Sequence, residues 1–164
     1  MSAYDWWLTE APPLAAALLT AAERTGARYV MFCNLYGYGE VHRPTTEDLP
    51  MAPVLAKGRL RARMWLNALD THRAGRSRVT EVRAAAFLGA GALSTLTLGI
   101  APQVRAGQVS TCPSRIDAPH SWSYVGDVAV TLVAAAHDDR SGAAPGTRPP
   151  PPPPPGSWPS GSRS

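Results

Sequence analysis

The chain has 164 residues, with 16 Lys and Arg against 12 Asp and Glu, for a formal net charge of +4. That length allows one ordinary domain. The basic excess is not a nucleic-acid footprint, because the arginines are scattered from Arg24 to Arg163, and in the one local group only Arg59 and Arg63, not Arg61, would share a helix face. Cys33 and Cys112 lack a CxxC spacing or a histidine partner, which argues against zinc and against a disulfide framework, and the longest apolar stretches, residues 14–22 and 128–136, fall short of the ~20 residues that cross a bilayer.

The opening MSAYDWWLTEAPP is acidic and aromatic rather than basic and apolar, so it is no secretory leader, and a cytoplasmic protein is expected. Pro12 and Pro13 suit the first turn of a helix, LAAALLTAAERTG continues it, and Gly26 closes it. The apolar run 29–32 follows at once and is too short for a helix, so it reads as a buried strand. Helix, tight turn and apolar strand form the back half of a βαβ crossover, which predicts an α/β fold with a parallel sheet flanked by helices.

Residues 40–55, rich in Pro, Thr and acids, read as a long loop beyond the carboxyl end of that strand, where α/β folds place their sites. In residues 57–73, Leu60, Met64 and Ala68 share a face with Trp65 and Leu69 beside them, predicting a helix ended by Gly75. RVTEVRAA (78–85) alternates as a strand. Glu81 and Arg83 share one of its faces, where a buried arginine needs an anionic partner: Glu81 as a structural pair, or a phosphate-bearing ligand. Residues 87–108 read as a glycine-punctuated turn and a weakly helical stretch, with a short strand near 108–112. Residues 114–127 form a loop with a short strand, and Asp127 is placed to cap a helix over 128–136. From Ser141 the Pro149–Pro155 run and its surroundings offer almost nothing to bury, so residues 1–140 are expected to fold and 141–164 to be a disordered tail. Trp6, Trp7, Trp65 and Trp122 are expected to pack, and Cys33 to be inert.

Four segments in this order carry a resemblance: VMFCNLYGYG (30–39), TEDLPMAPVLAKGRLR (46–61), RAAAFLGAG (83–91) and PHSWSYVGDVAVTLV (119–133). Together they resemble the extended short-chain dehydrogenase/reductase class, in particular its NAD-dependent epimerase/dehydratase-like family. The resemblance implies a Rossmann-like fold and NAD or NADP as cofactor, with hydride transfer at a hydroxyl-bearing small-molecule substrate. It also implies a homodimer through helix 57–73. Lys57 matches the lysine that holds the cofactor's ribose, but Pro53 stands where the family has its tyrosine acid/base. Asn34 stands in the Ser/Thr segment, Tyr36 is a substitute candidate at the same strand end, and His120 and Arg83 are candidates for substrate contact. No GxGxxG occurs in the chain, so the expectation is a partial Rossmann-like sheet lacking the first βαβ units, in an incomplete or inactive relative. The rival expectation is a non-enzymatic ligand-binding or regulatory module on the same fold.

Overall fold

The computed structural model describes residues 7–112, 115 and 117–139; the expected tail, and Trp6, lie outside the described residues. Helix α1 (Trp7–Thr25) leads into strand β1 (Tyr29–Asn34) and a 3-10 turn (Leu35–Tyr38), and a loop then reaches helix α2 (Ala56–Arg73). Strands β2 (Val79–Ala84) and β3 (Ala86–Leu88) follow. A π turn (Leu96–Ile100) runs into the short helix α3 (Ala101–Arg105), and β4 (Trp122–Tyr124) feeds directly into helix α4 (Val125–His137).

The strands pair in parallel, as helix–strand alternation requires. β1 runs beside β2 from Tyr29 opposite Val79 to Asn34 opposite Ala84, and β3 runs beside β4 from Ala86 opposite Trp122 to Leu88 opposite Tyr124. Only Ala85 separates β2 from β3, so one interrupted strand serves two partners. Its amide donates to Ser123 Oγ at 3.0 Å, joining the two pairings.

Alternation along β1 sorts its side chains into two environments. Met31 and Cys33 are buried on the face that carries their register partners Glu81 and Arg83, and α2 covers this face through Trp65, which lies under the Arg83 guanidinium at 5.4 Å. On the opposite face Phe32 meets Phe87 at a ring separation of 5.6 Å, beneath α4. Outside α2 lies α1, held by the Arg61 guanidinium 3.6 Å above the Trp7 ring and by Glu23, which accepts from the buried Thr71 hydroxyl at 3.1 Å. The far end of α4 is tied to the start of the strands: Arg28 donates to the Asp138 carbonyl and to Asp139 Oδ1, and Arg78 donates to the Asp139 carbonyl.

Three local expectations need correcting. α1 begins at Trp7, so Pro12 and Pro13 lie inside it rather than in its first turn; a proline pair withdraws only two consecutive ladder donors near one end, and the packing against α2 outweighs that loss. No strand forms over residues 108–112, where Val109 is almost fully exposed and finds no apolar partner. Asp127 is not a cap: Tyr124 occupies that position, and Asp127 sits inside the first turn, where its charge still faces the positive end of the helix.

Candidate functional site

At the carboxyl end of β1 the chain turns immediately into the 3-10 turn. Asn34 makes that turn possible, because its Oδ1 accepts from the Tyr36 amide at 3.1 Å and caps it. Gly39, at φ +73, ends the turn in a backbone conformation that favours glycine. The loop then folds back, with the Ala52 amide donating to the Gly37 carbonyl at 3.1 Å.

The first turn of α2 lies directly against this structure. A Cβ added at Gly58 would collide with the Tyr36 carbonyl oxygen and come within 2.9 Å of Pro53 Cβ. Glycine at position 58 therefore lets the first turn of α2, which carries Lys57, approach the turn that carries Tyr36. Both line a groove of about 720 Å³ whose other walls include Leu35, Glu40, Val54 and Leu55. Lys57 is half-buried and Tyr36 is half-exposed.

From the end of the 3-10 turn a chain of buried polar groups runs to β2. Arg83 Nε donates to Glu81 Oε2 at 2.6 Å, and Arg83 also donates to the Tyr38 hydroxyl. The Glu81 side chain is only 2% exposed, and burial raises its pKa while the adjacent Arg83 charge opposes the rise. Burial, reinforced by Glu81, pushes the Cys33 thiol up to about 11, so it stays a protonated, poorly nucleophilic group at neutral pH.

The five sequence candidates thus separate. Tyr36 and Lys57 share the groove, and Asn34 supports its floor as the cap of the turn. Arg83 does not line the groove and is engaged by Glu81 and Tyr38. His120 stands in the exposed loop before β4, its ring tilted against that of Trp122 at 4.8 Å, and is not among the groove-lining residues. Gly58, Leu35 and the Tyr38–Arg83 bond were not singled out from the sequence. The small residue directly after Lys57 was the available signal for the first, while the others depend on pairing between distant segments. Among the described residues no cluster of three or more His, Cys, Asp or Glu could hold a metal ion, and no helix is long and apolar enough to cross a membrane.

No known family's sequence profile matches the chain, and no curated protein matches it. Among solved structures, the UDP-N-acetylglucosamine 4-epimerase from Methanobrevibacter ruminantium M1, in complex with UDP-N-acetylmuramic acid, is similar over 85% of this chain with a TM-score of 0.70 at 14% identity. The fold is Rossmann-like. This chain spans 49% of that protein's length, and at such low identity the likeness establishes architecture alone. The α/β expectation, with short parallel strands flanked by helices, holds.

Proposed function

We propose that the chain is an oxidoreductase relative of the NAD(P)-dependent epimerase/dehydratase type, directed at a hydroxyl-bearing metabolite and impaired in catalysis. What carries this reading is the meeting of Tyr36 and Lys57 in one groove at the carboxyl end of a parallel strand, where open α/β sheets bind their ligands. In it the Lys57 ammonium would hold the ribose hydroxyls of the nicotinamide nucleotide and the Tyr36 hydroxyl would be offered to the substrate oxygen, with Asn34 holding the turn that carries Tyr36.

The residues fit only part of NAD or NADP. The groove and Lys57 suit the ribose end, but a pyrophosphate asks for a glycine-rich turn at a helix amino terminus, and the sequence holds no GxGxxG. Pro53 occupies the place of the acid/base and packs near Gly58 with no proton to give. Bound nicotinamide would supply hydride chemistry, and this chain's contribution is to hold and orient.

Fluorescence titration with NADH and NADPH tests the reading. Saturable binding is expected, weakened about tenfold in Lys57→Ala, equivalent to the ~1.4 kcal/mol of one charge-assisted hydrogen bond. Absence of saturation with both nucleotides would overturn it. The same result would favour the second reading, a non-enzymatic ligand-binding or regulatory module, which draws its support from Pro53 at the acid/base position and from Asn34 being engaged in capping its own turn.

A further inference from the structure

The turn that carries Tyr36 is four residues long, Leu35–Tyr38. So short a 3-10 segment holds little hydrogen-bonded structure of its own, and its orientation is set by what grips its two ends. At the start the grip is Asn34 Oδ1 on the Tyr36 amide. At the end it is Tyr38, which is 5% exposed where Tyr36 is 50% exposed. The Tyr38 hydroxyl accepts from Arg83 Nη1, and the guanidinium carbon stands 4.9 Å from the centre of the Tyr38 ring.

We infer that Tyr38 and Arg83 are positioning residues for the groove: Arg83, fixed on β2, holds the end of the turn and thereby sets where Tyr36 stands. The inference rests on the reading of that groove as a nicotinamide-nucleotide site. An ion pair with Glu81 does not by itself account for Arg83. Its Nε and Nη2 both face Glu81 Oε2, the first at 2.6 Å, and the fork leaves Nη1 for Tyr38. A lysine ammonium at this position could neutralise Glu81, whereas the planar guanidinium serves both partners at once. The anchor is itself held, because the Trp65 ring of α2 lies 5.4 Å from the guanidinium and the Glu81 side chain that grips it is 2% exposed. Residues 36 and 38 belong to a turn of about three residues per revolution, so rotating Tyr38 out of place rotates Tyr36 with it. Arg83 acts on the groove in this way without lining it.

Tyr38→Phe deletes the hydroxyl and keeps the buried ring, and Arg83→Lys keeps a charge beside Glu81 without the fork. In the ligand-free full chain, NMR-detected hydrogen exchange of the Tyr36 amide is expected to speed up about three- to tenfold in both, the worth of one hydrogen bond, relative to amides in the middle of α2. NADH binding is expected to weaken by a similar factor, measured where the variants are fully folded. Glu81→Leu/Arg83→Met removes the anchor without stranding a charge, and the same local effect is expected there. An unchanged Tyr36 amide in Tyr38→Phe overturns the inference. So does a loss of protection spread evenly over β1 and α2, the mark of a bond that only stabilises the fold, and so does an NADH affinity that Tyr38→Phe leaves at the wild-type value. A wild type that binds no NADH strikes only the reading of the groove as a nucleotide site, and the Tyr36 exchange in the ligand-free chain still decides whether Arg83 anchors the turn.

Discussion

The two long helices that cover the sheet make unequal contacts. α2 buries Gly58, Leu60, Ala62, Ala68 and Thr71, and on the sheet face it covers the Arg83 guanidinium is bonded to Glu81 and to Tyr38. α4 lies on the other face with no fully buried residue, Val130 and Val133 stay largely exposed, and a groove of about 460 Å³ separates its first turns from Phe32 and Phe87. α4 is the more apolar of the two and α2 carries Lys57 and four arginines, yet it is α2 that has the buried residues. The difference therefore lies in what each packs against: α2 has α1 against it as well as the sheet, and α4 packs mainly on the strands.

Breaking the closed face should have the largest effect. Glu81→Ala leaves the Arg83 guanidinium buried beside no carboxylate, and a loss of about 3–5 kcal/mol in chemical denaturation is expected. The double variant Glu81→Leu/Arg83→Met should recover most of it, since an apolar pair of similar volume leaves no stranded charge. Gly58→Ala comes next. Helix propensity alone favours alanine by up to ~1 kcal/mol, yet the collision with the Tyr36 carbonyl should reverse the sign to a net loss of about 1–3 kcal/mol. It should also weaken any NADH binding by pushing Lys57 away from Tyr36.

The Cys33 thiol sharpens the comparison through pH. Its ordinary value of 9.0 is raised to about 11 in the fold, so the folded chain holds this proton more tightly than the unfolded chain. The resulting stabilisation is complete below pH 9 and is lost as pH rises toward 11, by roughly 3 kcal/mol at most. Cys33→Val should flatten that part of the stability–pH curve. On the open face the effects should be small. Leu132→Ala is expected to cost about 1 kcal/mol or less, well under the ~2–5 kcal/mol typical of a closed core; a larger loss would mean that the α4 face is packed as tightly as the α2 face.

Much of this architecture was legible because it rests on local patterns. Residues 29–32 and 78–85 were readable as strands from apolar content and alternation, and the helix over 57–73 from its spacing, with the structure shifting each boundary by only a residue or two. Glu81 and Arg83 sharing a face followed from strand periodicity, and their ion pair followed from the cost of burying a lone guanidinium. Where expectation missed, the deciding contact was distant. Packing against α2 extends α1 back past its prolines, and the lack of any partner leaves 108–112 without a strand. Lys57 entered the site by resemblance alone, and its meeting with Tyr36 depends on Gly58 and on the Asn34-capped turn, neither of which any periodicity reports.

The break at Ala85 has a consequence for how this small sheet moves. Because one strand exchanges partners at a single residue, the pairing of β3 with β4 can come apart while β1 and β2 stay zipped, and the Ala85 amide with its Ser123 bond is the joint between the two. Ser123→Ala would loosen that joint, letting β4 and the start of α4 flex as a flap against a stationary pair of strands.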